Sequence, residues 1–295
     1  MNWEKALQCK AEQINAALDL LLPSVSTYPV HVHEAMRYSI FAGGKRLRGA
    51  LTMAVAEALG TDEQKVLSAA AAVEMIHTYS LIHDDLPAMD DDDYRRGKPS
   101  CHKAYGEAVA ILAGDALLTL AFETLAQMQE KGFEPQVVLQ VIQEVGSAAG
   151  SRGLIGGQVV DLKSEGIRVS EKTLEYIHNH KTGALFSAAA RSGGLLAGAG
   201  NKELRALGDY ASAFGLAFQI TDDLLDLTGD EQLMGKQTGV DLVKDKATYP
   251  ALLGVEQTKK LAEKQVNRCL LSIESLGSQA DFLRDAAKYL MLRKA

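Results

Sequence analysis

The sequence predicts an all-α fold, and three observations carry that prediction. Hydrophobic residues make up 47% of the 295-residue chain while aromatics make up only 6%, so the apolar share is dominated by Ala and Leu, both strong helix formers. Prolines number just six, which favours helices again. Period-two alternation of the kind a half-buried strand requires is absent. No linker interrupts residues 1–295, so a single domain is expected.

The elements follow in order. Helical periodicity runs from about residue 3 to residue 22 and stops at Pro23, with a turn-rich stretch over residues 24–29. A second helix is expected from near His31; Gly43-Gly44 interrupt it before Lys45-Arg46-Leu47-Arg48-Gly49 and an apolar run ending at Gly60. Thr61-Asp62-Glu63-Gln64 fits a capping box, so a long helix should run from there to about Asp84, carrying His77, Ser80 and Asp84 on one face. Arg95-Arg96-Gly97-Lys98-Pro99 reads as a basic turn, followed by an Ala- and Leu-rich helix containing Asp115. Gly156-Gly157-Gln158-Val159-Val160-Asp161 reads as a helix whose glycines admit close backbone approach. Ser170 is the expected cap of the helix leading to Lys181-Thr182-Gly183, and Asn201 that of the next long helix, which ends near Gly229. A polar loop over residues 235–242 and further helices complete the chain.

Two aspartate clusters each close an apolar helical stretch: Asp84-Asp85-Leu86-Pro87-Ala88-Met89-Asp90, and Asp222-Asp223-Leu224-Leu225-Asp226. Carboxylates where a core stripe should continue are costly to bury without cations. A single acidic run is usually a solvated face, but two such clusters point to a site. Six aspartates lie between Asp84 and Asp93 with no Lys or Arg before Arg95; only Mg²⁺ or full exposure to water relieves such crowding. Pro87 breaks any regular helix between Asp84 and Asp90, so the chain should bulge and bring both carboxylates to the same ions. Asp222 and Asp226 share a helix face with Gln219, Phe218, Gly215 and Ala211, which reads as an apolar trough with a metal at its mouth. Mg²⁺ is held by one or two carboxylates plus substrate phosphates, so the pattern suits a diphosphate on an apolar tail. Lys45 and Arg48 follow two glycines at a helix start that favours anions, and Arg95, Arg96, Lys181 and Lys236 add positive groups near loops. One diphosphate could be held by metals and a second by arginines, lysines and His77.

The strings Gly-Gly-Lys-Arg-Leu-Arg, Ile-His-Thr-Tyr-Ser-Leu-Ile-His-Asp-Asp-Leu-Pro-Ala-Met-Asp, Arg-Arg-Gly-Lys-Pro, Gly-Gln-x-x-Asp, Lys-Thr-Gly and Phe-Gln-Ile-Thr-Asp-Asp-Leu-Leu-Asp occur in one order over nearly the whole chain. In these the sequence resembles the trans-prenyltransferases, the short-chain polyprenyl diphosphate synthases, and among them most closely the farnesyl-producing bacterial members. The resemblance implies the isoprenoid synthase fold, a helical bundle around a deep central cavity, as a homodimer with three Mg²⁺ ions between the acidic motifs. It implies Asp84, Asp90 and Asp222 as metal ligands, with Asp85, Asp223 and Asp226 as ligands or hydrogen-bonding support. It further implies Arg95, Lys181 and Lys236 on the allylic diphosphate, and Lys45, Arg48, His77 and Arg96, with the Gly44 backbone, on isopentenyl diphosphate. Thr182 and Gln219 match positions whose oxygens face the allylic cation.

The implied reaction joins isopentenyl diphosphate head-to-tail to dimethylallyl diphosphate and then to geranyl diphosphate. Departing diphosphate leaves an allylic carbocation in a dry cavity, and the same diphosphate takes the final proton. Tyr79, five residues before Asp84, together with the widening by Pro87 and Ala88, resembles the pattern that stops at fifteen carbons, and Ser80 is a second length-setting position. A twenty-carbon product, from a geranylgeranyl diphosphate synthase, is the alternative, and a non-catalytic partner subunit is less expected because both clusters are intact. The chain ends Arg293-Lys294-Ala295, departing from the family's Arg-x-Lys tail.

Other classes fit less well. The net charge of −7 argues against a nucleic-acid partner. Cys9, Cys101 and Cys269 form no CxxC pattern, which argues against zinc or a disulfide framework and favours a cytoplasmic setting. Neither a signal or transit peptide nor an apolar run long enough for a bilayer is read in the sequence. His31, His33, His102, His178 and His180 form no metal set for an HD-type phosphohydrolase and read as surface or packing residues, and Glu74-Met75-Ile76-His77 is a lone Glu-x-x-His where a ferritin-like site needs a pair.

Overall fold

A computed structural model describes residues 3–167, 169–228 and 247–293. Among these, helices form almost everything: α1 Trp3–Leu21, α2 Val30–Ile40, α3 Leu47–Ala58, α4 Leu67–Asp84, α5 Cys101–Tyr105, α6 Glu107–Ala126, α7 Pro135–Ala149, α8 Leu154–Leu162, α9 Glu171–Ile177, α10 Ala184–Leu196, α11 Asn201–Thr228, α12 Tyr249–Leu253, α13 Val255–Ser272 and α14 Asp281–Leu292. The strands β1 (Tyr94–Arg95) and β2 (Lys98–Pro99) pair antiparallel around the basic turn, a two-residue ladder too short to leave a period in the sequence. The all-α expectation is met.

The helix α4 lies at the centre. Residues 69–72 are all alanine and fully buried, because a helix apolar on every side can satisfy itself only when surrounded. It packs on α3 and α6, while α10 joins α3, α7 and α11, and α11 lies along α13. Small side chains at these crossings let the backbones approach and leave larger residues, such as Phe186, Phe214 and Tyr210, to fill the gaps.

Several expected boundaries shift. The start of α4 is a short 3₁₀ turn, Glu63–Val66, capped by Asp62 rather than Thr61: the Gln64 amide donates to Asp62 Oδ1 at 3.0 Å. Ser170 caps α9 as read, accepting from Thr173 N at 3.1 Å. At α11 the bond at the entry is from Gly200 N to Glu203 Oε2 at 2.7 Å, and Asn201 is already helical. Gly229 and the polar loop at 235–242 lie outside the described residues. The reading of no bilayer-length apolar run is corrected by Glu107–Lys131, long and apolar enough by length and composition to cross a membrane. Its Ala110, Ala113, Gly114, Leu117, Ala121 and Leu125 are buried, the pattern of a core helix.

Candidate active site

The end of α4 turns the first aspartate cluster inward. Pro87 stops the helix, and the chain bulges: the Asp90 amide donates to the Asp84 carbonyl at 2.8 Å and the Asp92 amide to Asp85 O at 3.2 Å, with Asp91 at φ +49°. Asp84 and Asp90 thereby line the same cavity, of about 240 Å³, with Asp161, Lys181, Arg95, Gln219, Asp222 and Asp223. Burial pushes the Asp84 carboxyl up to about 6, with Asp90 and Asp85 adding to the rise and Lys181 and Arg95 opposing it. Asp85 turns elsewhere. It is 2% exposed and accepts from Arg95 Nε at 3.0 Å and from Arg95 Nη2, so it aims the guanidinium rather than lining the cavity.

A π-helical turn, His178–Gly183, supplies the opposite wall. Two glycines admit it. A Cβ on Gly157 of α8 would fall 2.1 Å from Lys181 N, and one on Gly215 of α11 would fall 2.8 Å from Gly183 Cα. Lys181 Nζ donates to Asp161 Oδ2 at 2.6 Å; burial works against its charge, but Asp161, Asp84 and Asp90 together raise its pKa. Thr182 Oγ1 donates to Gln219 Oε1 at 3.1 Å, Gln219 Nε2 donates to Asp223 Oδ1 at 3.1 Å, and Asp223 Oδ2 accepts from Tyr249 N at 3.0 Å. That chain fixes the amide orientation of Gln219. Asp226 is 2% exposed and does not line the cavity, whereas the side chain of Asp222 is 41% exposed and does.

A second, basic cavity of about 540 Å³ adjoins α3, α4 and α14. Lys45, Arg46, Arg48, His77 and Arg96 line it, with Glu74 the sole carboxylate among its lining residues. Gly43 and Gly44, at φ +112° and +121°, wrap the chain around Arg96, whose Nη1 donates to Gly43 O; a Cβ on Gly44 would fall 2.5 Å from that nitrogen. Arg48 lies 4.4 Å over the Phe186 ring, and burial draws its pKa down to about 10 while Glu74 opposes the shift. Burial, reinforced by Arg48, Arg96, Arg46 and Arg95, holds His77 well below the usual 6.5, so the ring is neutral at neutral pH. A neutral imidazole amid arginines still has a donor for an anion.

The structure thus gathers Asp84, Asp90, Asp222, Arg95, Lys181 and Gln219 at one cavity and Gly44, Lys45, Arg48, His77 and Arg96 at the other; Thr182 joins the first through Gln219. Lys236 lies outside the described residues. Tyr79 and Ser80 are buried on α4, away from both linings. Two residues had been read differently. His178, taken as packing, lines the aspartate cavity with Nε2 3.6 Å from Asp223 Oδ2 and its ring 5.3 Å from Tyr249. Arg293, whose tail position was left open, stacks 4.4 Å over Phe218 and donates to Phe218 O at 2.7 Å and Thr221 Oγ1 at 2.8 Å, with Asp222 Oδ1 at 3.5 Å. No motif marks His178, and the tail motif marks Arg293 without giving its contacts, because each is placed by helix packing.

Asp84, Asp90 and Asp222 are a donor set for a hard divalent cation: oxygens only, partly buried, with the Asp84 carboxyl raised by burial and by its neighbouring aspartates. A separate trio, Asp91, Asp93 and His102, brings ligand atoms within 4.8 Å of one another outside the cavity, with Lys103 Nζ already 2.7 Å from Asp93.

Known proteins carry the same arrangement of chain. The polyprenyl synthetase family model matches residues 29–283. The large subunit 1 of a heterodimeric chloroplastic geranylgeranyl pyrophosphate synthase of Arabidopsis thaliana is 49% identical over 259 residues, 86% of this chain and 69% of that one. A chloroplastic geranylgeranyl pyrophosphate synthase of Catharanthus roseus is 48% identical over 256 residues, 86% of this chain and 71% of that one. Among solved structures, an FPP/GFPP synthase of Zymomonas mobilis superposes with a TM-score of 0.88 at 37% identity, covering 98% of this chain and 99% of that one. A putative farnesyl-diphosphate synthase of Marinomonas sp. MED121 gives 0.84 at 40% identity, covering 99% of each.

Proposed function

Because this chain belongs to the polyprenyl synthetase family and is a prenyltransferase, we propose that it extends dimethylallyl diphosphate and then geranyl diphosphate with isopentenyl diphosphate, stopping at farnesyl diphosphate. The observation that carries the reading is the pairing of the two cavities, one acidic and one basic, on the shared helices α4 and α11. Asp84, Asp90 and Asp222 would hold Mg²⁺, which would supply Lewis-acid neutralisation of the allylic diphosphate. Arg95, aimed by Asp85, and Lys181, held by Asp161, bind the same diphosphate and stabilise charge as it departs. The amide oxygen of Gln219 and the hydroxyl of Thr182 face the allylic carbon as it becomes cationic. Lys45, Arg48, Arg96 and neutral His77 orient isopentenyl diphosphate so that its double bond attacks. The apolar walls, Phe214 and Phe218 among them, exclude water from the cation.

The fifteen-carbon stop rests on Tyr79. Tyr79 is 4% exposed, outside both cavity linings, and stands about 7.5 Å up the helix from Asp84 at ordinary rise, on the course that a chain anchored at the aspartates would take in this reading. The names of the Arabidopsis and Catharanthus relatives support the twenty-carbon product better, and geranylgeranyl diphosphate is therefore the second reading. Incubation with Mg²⁺, labelled isopentenyl diphosphate and each allylic starter, with products resolved by length, decides between them. Fifteen carbons from wild type and twenty from Tyr79→Ala are expected; twenty from wild type would install the second reading.

The chain also acts as a homodimer in this proposal. The exposed Ile111 and Leu112 on α6, 42% and 58% accessible, support a partner on that outer side.

A further inference from the structure

Tyr79 does not hold its own orientation. Its hydroxyl is buried with no hydrogen-bond partner among the described residues, so packing alone fixes the ring. Within the core that surrounds Tyr79, its aromatic contact is His83, one turn on along α4, whose imidazole meets the phenol edge-on with centroids 5.6 Å apart and planes at 83°. His83 is seated in turn against α6. Its Nε2 donates to the Ile111 carbonyl at 3.1 Å, which fixes the proton on that nitrogen because a carbonyl only accepts. The seat itself is Gly114. A Cβ there would fall 2.3 Å from His83 Nε2 and 2.6 Å from Cδ2, so the imidazole occupies the space that any side chain would fill. Gly114 has no left-handed backbone to accommodate, and room for the imidazole is what its missing side chain provides.

We propose that His83, seated in the Gly114 notch, is a positioning residue that holds the Tyr79 ring across the end of the prenyl channel and thereby sets product length. The inference rests on the reading of Tyr79 as the channel's end. Without the imidazole, the phenol can rotate into the vacated notch, and the growing chain gains the room the ring had blocked. His83 touches neither substrate nor metal in this role; its influence passes through Tyr79.

Product distributions under excess isopentenyl diphosphate test it, with four variants beside wild type: His83→Ala, Gly114→Ala, Tyr79→Ala and the His83→Ala/Tyr79→Ala double. Both His83→Ala and Gly114→Ala, which evicts the imidazole without deleting it, should raise the ratio of twenty- to fifteen-carbon product by roughly threefold to tenfold, the scale of one lost ring contact. The KM for isopentenyl diphosphate should not move, as it would if the bundle were merely loosened. The double variant should match Tyr79→Ala alone. Gly114→Ala keeps the question open to refutation if His83→Ala fails to fold. An unchanged ratio in both single variants beside a lengthened product from Tyr79→Ala overturns the brace and leaves the channel reading intact. An unchanged product from Tyr79→Ala overturns both. A double variant longer than Tyr79→Ala alone makes His83 a channel wall in its own right and overturns the positioning role.

Discussion

Burial sorts the aspartates that sequence spacing cannot. All six from Asp84 to Asp93 look alike as letters, yet Asp85, 2% exposed, is committed to Arg95, and in the second cluster Asp223, 3% exposed, holds the Gln219 amide and the Tyr249 N–H. The partly exposed Asp84, Asp90 and Asp222 are left to face the cavity. Asp84→Ala and Asp222→Ala are therefore expected to lower turnover by roughly a hundredfold or more while leaving the fold intact, since each removes support for departing charge and neither carries the core. Steady-state turnover in excess Mg²⁺ beside circular dichroism checks this, and near-normal turnover in either variant would end the metal assignment. The presence of an acidic site was legible in the residues, and the family resemblance already singled out Asp84, Asp90 and Asp222; spacing alone could not say what Asp85 and Asp223 do, because side-chain orientation depends on partners such as Arg95 and Tyr249 that lie far along the chain or across a turn. The contacts of His178 and Arg293 were illegible for the same reason.

At the level of elements, periodicity and punctuation carried the helices. Pro23, Gly43-Gly44, Pro87 and Ser170 each end or start what they were expected to, because these residues act on their own backbone. The π turn at His178–Gly183 left no such mark. It is stabilised from outside, by the close approach of α8 at Gly157 and α11 at Gly215, and a sequence window sees only an uninterrupted helix running towards Lys181. Gly215 is the sharper probe of the two, since it meets the turn at Gly183 Cα while leaving Lys181 itself untouched. A Cβ at 2.8 Å from that backbone atom must push the turn away, so Gly215→Ala should cost about 1–3 kcal/mol of stability. It should also raise the KM for the allylic substrate more than that for isopentenyl diphosphate, because Lys181 and Thr182 ride on the turn. Thermal melts and paired substrate titrations read the two effects; a lowered melting point with both KM values unchanged would show that the turn does not position the site.

At the scale of the whole molecule, one helix, α6, carries two unlike faces. Its inner face, Ala110, Ala113, Gly114 and Leu117, is small enough for α4 to lie close and for His83 to enter at Gly114. Its outer face carries Ile111 and Leu112 into solvent in a single chain. In the homodimer proposed above, a second copy would cover this outer side, and two-fold pairing would set α6 against its own equivalent. Such pairing would link assembly to product length, because the backbone that seats His83 would also form the subunit contact. Leu112→Asp places a charge on this outer face without touching either cavity. Sedimentation should show a dimer for wild type and a shift to monomer for the variant. The monomer should keep its helical circular dichroism but lose part of its turnover, as α6 loosens beneath α4. A variant that sediments like wild type would place the contact on another face, and a wild type that sediments as a monomer would remove the homodimer from the proposal.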